Sequence, residues 1–350
     1  MATKILEQEA KDTSSIGPQW PPRESSFNRI KGIDNRGVIR DSNTFIDTVD
    51  EVKKLISTHI DSPEDAIDRL SIRLIVENDV WYENLDQVVN LGEVIIPLSG
   101  TNPAFENSSI IYLGANSASR QSDECDLEKA FNNVGIATQK EEVAFSQAIN
   151  RATGQGFELS ILQLSDRMIS IDIQNQMALL YKRFGWEKQD VIDILSKPLN
   201  IIAIARFGDE IVSAGIAEVS SVNLGDCTSL RMAEITEAAT AENYQKKGLY
   251  SSVASKLMLE LAGLSLTNGI DGGQIDLVFG ECNGNEQGVL KAVKSLGRTF
   301  SYEVVKKANL PFKGYLPQHV PIAGAARNTK YNDLFPAFIT KKKLMSLAQG

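Results

Sequence analysis

Apolar and polar positions alternate most regularly in the second half of the chain. Segments 158–164, 199–207, 210–220 and 229–241 carry strand patterning, and 208–209 (Gly208-Asp209) punctuates a hairpin between the second and third. Segment 173–184 has a helical apolar face, and 187–195 makes a second helix stopped at Lys197-Pro198. A long helix runs from about 248 to 264, with Val253, Leu257, Met258 and Leu261 at helical spacing. A strand at 274–280, a turn at Asn283-Gly284-Asn285 and a helix at 286–296 follow. An extended stretch at 299–306 and a last strand at 334–339 complete the series. The predicted order is β, α, α, β, β, β, α, β, α, β, β.

The first half is patterned differently. A helix fits 44–58, with Phe45, Val49, Val52, Leu55 and Ile56 on one face. Ser62-Pro63-Glu64-Asp65 has the chemistry of a helix start, and Ile67, Leu70, Leu74 and Ile75 follow at helical spacing. Strands are predicted at 93–98 and 109–113, and helices near 126–132 and 140–152. Residues 1–37 are polar and turn-rich around Gly17-Pro18-Gln19-Trp20-Pro21-Pro22, which predicts an extended, partly disordered arm. The division expected is therefore arm 1–37, an α+β domain 38–153 of unassigned role, and a second α/β (α+β) domain 154–345.

Composition removes several function classes. A formal charge of −9 argues against nucleic-acid binding through a general phosphate field. Three dispersed cysteines give neither a disulfide framework nor a metal cluster, and two histidines make a histidine-built metal site or a Ser-His-Asp device hard to assemble. No apolar run reaches the ~20 residues that span a bilayer, and the first residues lack a signal-peptide apolar region. The expectation is a cytoplasmic protein with no membrane partner and no metal.

Candidate chemistry concentrates at 233–250. A strand ends in Ala238-Ala239-Thr240, and the turn Gln245-Lys246-Lys247-Gly248-Leu249-Tyr250 leads into a helix. Free N–H groups at the positive end of a helix dipole favour a phosphate or pyrophosphate. Lysines are otherwise disfavoured there, so a bound anion explains Lys246 and Lys247 better than solvated charge does. Upstream, Glu234 and Glu237 sit on the strand, and unbroken alternation puts them on opposite faces.

The element order, with Gln245 and Gly248 in the turn, resembles the GCN5-related N-acetyltransferase (GNAT) superfamily; Tyr250 departs from that family's small last residue. Within it, Ala233-Glu234-Ile235-Thr236, Ala239-Thr240, Tyr244 and Lys247-Gly248-Leu249 are similar to the β-lysine N-acetyltransferase branch. The resemblance covers the second domain only. It implies the acyl-CoA N-acyltransferase fold, a mixed, mostly antiparallel sheet flanked by helices, with acetyl-CoA or another acyl-CoA as co-substrate. It implies that pantetheine meets the backbone at Ala238, Ala239 and Thr240. The pyrophosphate would meet Gln245, Lys246, Lys247, Gly248, Leu249, Tyr250 and the Ser251 hydroxyl, with Ser252 a further hydroxyl in reach. Asn283 and Asn285 resemble the family's pantetheine-contacting asparagine and are equally turn formers. Small residues at 238, 239 and 241 fit a backbone that a ligand approaches closely, with tight packing against a helix as the alternative.

By the same resemblance Glu234, eleven positions before Gln245, matches the general base of the histone-acetylating branch, and Glu237 is the second candidate, as base or as anchor for the substrate ammonium. An amine of ordinary pKa, ~8 to ~10.4, must lose a proton before it attacks a thioester. The family's tyrosine acid has no counterpart in Lys291-Ala292-Val293-Lys294-Ser295, so the acid is unassigned. The function expected is transfer of an acetyl group to an amine of a small amino-acid-like acceptor by direct attack. Two alternatives stand beside it: a carrier protein or tRNA partner docked by the first domain, or a catalytically inert CoA-binding module.

Overall fold

A computed structural model describes residues 29–34, 36–60, 69–117, 124–162, 169–182, 186–223, 229–266, 274–321 and 331–349. The first 28 residues of the predicted arm and the predicted helix start at 62–65 lie outside them.

The first sheet is organised on β2 (Arg69–Glu77), paired in parallel with β1 (Arg29–Ile33) and antiparallel with β4 (Ser108–Asn116); β3 (Gly92–Pro97) completes the order β1-β2-β4-β3. Leu70, Leu74 and Ile75 therefore lie on a strand, where helical spacing had been expected. Both faces of β2 are buried from Arg69 to Val76, so its apolar run lacks the alternation that marks a half-exposed strand. Helix α1 (Ser42–His59) starts at Asp41, whose carboxylate accepts from the Thr44 N–H at 2.9 Å. Its Phe45, Val49 and Val52 cover one face of the sheet with Val80 and Trp81 of α2 (Asn78–Glu83); α3 (Leu85–Val88) follows.

The second sheet runs β10-β12-β9-β8-β7-β6-β5, with β11 also paired to β12. Its strands are β5 (Glu158–Leu162), β6 (Asn200–Phe207), β7 (Glu210–Asn223), β8 (Ser229–Thr240), β9 (Leu277–Asn283), β10 (Thr299–Phe300), β11 (Leu316–Pro321) and β12 (Tyr331–Thr340). Among the described residues every pairing in this sheet is antiparallel except β8 with β9. The result is the expected mixed, mostly antiparallel sheet flanked by helices. One face carries α8 (Leu249–Leu266), packed on by α5 (Phe145–Thr153) and α11 (Lys341–Ala348). Beside them α4 (Glu124–Ala137) and α9 (Gln287–Ser295) bury Ala130, Val134, Leu290 and Val293 with Cys282 and Phe335.

The opposite face is shared. Over β6 and β7 lie α6 (Ile171–Tyr181) and α7 (Lys188–Leu195), through Met177, Leu180 and Ile194. Over β8, β9 and β12 lies the first sheet: Ile75, Val94, Ile110 and Tyr112 pack on Leu230, Met232, Leu277 and Phe338.

One predicted extended stretch is mostly helical. After the two residues of β10 the chain enters α10 (Ser301–Ala308), started by the Phe300 N–H donating to Glu303 Oε1 at 3.0 Å. Val304 and Val305 pack from that helix against the first sheet's core. Ser301 Oγ also accepts from the Ile95 N–H and donates to the Ile95 carbonyl, closing the edge of β3. No helix among the described residues is long and apolar enough to cross a membrane.

Candidate active site

Strands β8 and β9 pair at only three positions, Met232 with Leu277, Ala233 with Val278 and Glu234 with Phe279. Beyond them β8 continues to Thr240 against β7, and β9 continues to Asn283 against β12. The sheet therefore opens into a wedge whose apex is at Glu234 and Phe279, and whose walls are strand edges with backbone hydrogen-bonding groups. Gly280 allows the walls to stay close just past the apex: a Cβ there would lie 2.5 Å from the Ile235 carbonyl oxygen.

A β-bulge shapes the β8 wall. Ile216 pairs with Thr236 and Ala214 with Ala239, leaving Glu237 and Ala238 opposite Gly215. Ala233 and Ile235 pack on the α8 side, whereas Ala239 packs on the α6 side among Leu180, Ile211 and Ile216. Unbroken alternation would have kept these three residues together. The opposite-face expectation for Glu234 and Glu237 assumed that alternation, which the bulge interrupts; the Glu237 side chain lies outside the described structure. At the strand's end Ser213 Oγ donates to the Ala239 carbonyl at 2.8 Å and meets Thr240 Oγ1 at 2.9 Å.

Glu234 is half-buried and lines a cleft of about 380 Å³ at the seam between α7 and the first sheet. Arg73, Lys197, Asn200, Ser220 and Phe279 share the cleft. Arg73 reaches it from β2, its guanidinium 5.0 Å above the Tyr112 ring and 5.2 Å from the Phe279 ring, and 3.5 Å from Glu281 Oε1. Burial pushes the Tyr112 hydroxyl far up, against the pull of Arg73 and with the repulsion of Glu281 and Glu234, so it stays protonated beside them. Lys197 pairs with Glu218 at 2.8 Å across the mouth. The cleft thus combines a carboxylate at the wedge apex with cations from two other elements.

Past Thr240 a short 3-10 turn (Glu242–Tyr244) leads to Gln245, whose N–H donates to the Glu242 carbonyl. Lys246 and Gly248 then take left-handed backbone, φ +62° and +81°. For a lysine this conformation costs roughly 1–2 kcal/mol. The turn leaves the N–H groups of Lys246, Lys247, Gly248, Leu249, Tyr250 and Ser251 without an acceptor among the described residues. Six donors in sequence at a helix start suit an anion. Lys247 Nζ lies 5.0 Å from the Tyr244 ring and 5.9 Å from that of Phe157. Arg151, in the last turn of α5, brings its Cδ to 4.0 Å from where a Gly248 Cβ would stand. Ser252 Oγ is committed elsewhere: it donates to the Ala148 carbonyl at 2.7 Å and ties α8 to α5.

Other expected residues take structural positions. Asn283 Oδ1 accepts from the Asn285 N–H at 2.9 Å, a turn-forming bond, while Asn285 Oδ1 is buried with no partner among the described residues. The Tyr250 side chain packs inward against the cluster of Cys282 and Phe335. Burial pushes its hydroxyl far up and also raises the Cys282 thiol, which makes Cys282 a poor nucleophile at neutral pH. Among the described residues no group of three or more His, Cys, Asp or Glu is arranged to hold a metal. Three arginines that no local motif marks, Arg73, Arg151 and Arg298, reach the site through tertiary packing.

No family model matches the chain, and no curated protein matches it in sequence. Among solved structures it is similar to the ribosomal-protein-S18-alanine N-acetyltransferase from Escherichia coli, at 12% identity and a TM-score of 0.37, over 52% of this chain and 94% of that one. It is similar to an N-acetyltransferase from Staphylococcus aureus Mu50, at 13% identity and 0.36, over 53% and 97%. NAA60 of Arabidopsis thaliana in complex with acetyl-CoA gives 9% identity and 0.39, over 52% and 98%. At these values the architecture rests on the strand order and pairing described above.

Proposed function

We propose that the protein is an acyl-CoA-dependent N-acyltransferase of the GNAT type, acting on the amine of a small amino-acid-like acceptor. The observation that carries the reading is the wedge between β8 and β9, which opens from Glu234 and ends beside six N–H groups that have no acceptor among the described residues. A pantetheine arm is long, narrow and rich in amides, so it suits a gap between two strand edges. Its diphosphate suits the N–H groups from Lys246 to Ser251, with Arg151 adding charge. Acetyl-CoA is the donor this reading takes first. The residues from Ala233 to Leu249 favour the β-lysine N-acetyltransferase branch. Division at 154, with the first domain forming one wall of the acceptor cleft, and a cytoplasmic location belong to the same proposal.

With the diphosphate at the turn, the thioester reaches the apex, where Glu234 lines the acceptor cleft. Glu234 takes a proton from the acceptor ammonium, directly or through water, and the free amine attacks the thioester carbonyl carbon. Arg73 and Lys197 line the same cleft, each beside a carboxylate at 3.5 and 2.8 Å, and an amino-acid-like acceptor would bring a carboxylate to share them. Direct attack is supported by Cys282 being buried and held as a thiol.

The test is turnover of acetyl-CoA against a panel of amino acids and diamines, read as free thiol, in wild type and Glu234→Gln. The expected loss in kcat at neutral pH is roughly 10²–10⁴-fold, the usual contribution of a general base. An unchanged kcat removes Glu234 from that role, and failure to bind CoA removes the enzyme reading altogether.

A further inference from the structure

The reaction above leaves a negative charge on sulfur, and no tyrosine on α9 is placed to answer it. Arg298, between α9 and β10, is 2% exposed. Its Nη2 donates to the Ala337 carbonyl at 3.1 Å, while its Nε has no hydrogen-bond partner and the guanidinium has no carboxylate partner among the described residues. A buried cation without a counter-ion is unfavourable and rare. Its location explains what could complete it. A Cβ on Gly280 would lie 2.5 Å from Arg298 Nη2 and 2.5 Å from the Ile235 carbonyl oxygen, which puts the guanidinium at the point where β8 and β9 part. Phe279 faces the acceptor cleft, so its neighbour Gly280 presents the other face of the sheet, the one carrying α8 and α9.

We infer that Arg298 is a thiolate-holding residue, which receives the sulfur of the departing CoA as an ion pair from the face of the wedge opposite Glu234. The inference rests on the acyl-CoA reading. In the step it describes, two protons leave the acceptor nitrogen, one before attack and one after the N–C bond forms. The C–S bond breaks and its electron pair leaves on sulfur. The guanidinium holds that thiolate without giving up a proton, and the sulfur is protonated from solvent on release. One of the two protons is thereby recovered on the thiol and the other goes to solvent. The amine and its base work from the cleft side, and the leaving charge is collected on the other.

The experiment is an ultraviolet titration of the thiol of CoA bound to the wild-type protein, with Arg298→Met and Arg298→Lys as comparisons. Free thiols of this kind titrate near ~8.5. An opposite charge within contact distance lowers such a value by ~1–3 units, so the bound thiol is expected to hold at least tenfold more thiolate at a given pH below the free value. Arg298→Met is expected to abolish the shift and Arg298→Lys to keep part of it. CoA should also bind tighter than desulfo-CoA above neutral pH in wild type, and equally in Arg298→Met. If wild type binds CoA and the bound thiol titrates at its free value, the inference is overturned while the acyl-CoA reading stands. The same holds if the shift survives in Arg298→Met. If wild type binds no CoA, both fall. A merely structural arginine, holding only the Ala337 carbonyl, would not move the thiol titration. Should Arg298→Met fail to fold, the wild-type titration still decides.

Discussion

Arg69 and Arg298 are both buried arginines, each beside a glycine that leaves room for its ionic site, and their surroundings differ. Arg69 is 0% exposed and fully answered: Glu93 takes Nη1 and Nη2 at 3.0 and 2.6 Å, Asn116 Oδ1 takes Nη1 at 2.6 Å, and His319 Nδ1 accepts from Nε at 2.9 Å. That acceptance puts the imidazole proton on Nε2, 3.5 Å from Glu281. Arg298 has one backbone carbonyl and no acid among the described residues. The completed site ties the second sheet to the first through His319 of β11. The incomplete one lies at the wedge. The contrast teaches that burial of a charge is not itself a functional sign; the missing counter-charge is.

The comparison is broken most directly by stability. Among the described residues, Arg69→Met takes both short ion-pair bonds from buried Glu93 and leaves it only the half-exposed Lys313 ammonium at 3.9 Å, and the expected loss is about 3–5 kcal/mol in the free energy of unfolding by denaturant. Arg298→Met removes a charge that had no counter-ion, so the expected change is within about 1 kcal/mol of zero, of either sign. If the two variants lose similar amounts, Arg298 is as structural as Arg69 and the distinction goes.

The glycines sharpen it at smaller scale. A Cβ on Gly114 would lie 2.5 Å from Glu93 Oε2, and one on Gly280 the same distance from Arg298 Nη2. Gly114→Ala pushes on a carboxylate held by a saturated network, while Gly280→Ala pushes on a guanidinium with one bond, and on the Ile235 carbonyl as well. Both should destabilise by about 1–3 kcal/mol. Only Gly280→Ala is expected to weaken CoA binding, measured by calorimetry; equal binding by both variants would separate Gly280 from the wedge.

The smallest effect belongs to an exposed charge, which sets the bottom of the scale. The Asp41 carboxylate accepts from the Thr44 N–H and hydroxyl, and these bonds hold its pKa below the ordinary value. A carboxylate lowered in the folded state contributes above its unfolded value, ~3.9, and loses that contribution as pH falls through the folded one. Asp41→Ala should therefore melt slightly below wild type at neutral pH, with the gap closing well below pH ~3.9. A gap that persists in acid would assign it to helix propensity rather than to the charged cap.

How much of this was legible in the sequence depended on whether an element has a solvent side. β5 to β9, β12 and α6 to α9 appear close to where periodicity puts them, Gly248 announces the turn, and β11 was not expected at all. β2 was misread because both of its faces are buried, and α10 because the cap that Glu303 supplies three residues after Phe300 went unread. Glu234 was singled out ahead of Glu237 through the family resemblance, by its spacing before the turn. Arg73, Arg151 and Arg298 could not be singled out, since each owes its position to packing between elements far apart in the chain. The bulge at 237–238 was invisible too: alternation looks intact until the partner strand is known.

That bulge has a consequence for how the segment can change over generations. Two residues stand where one would suffice, and everything from Ala239 to the turn inherits its facing from the extra one. Many side chains could be exchanged at 237 and 238 while the phase of the strand is kept. Removing a single residue would rotate Ala239, Thr240 and the entry to the turn onto the wrong side of the sheet. Selection at this spot is expected to act on length before it acts on identity.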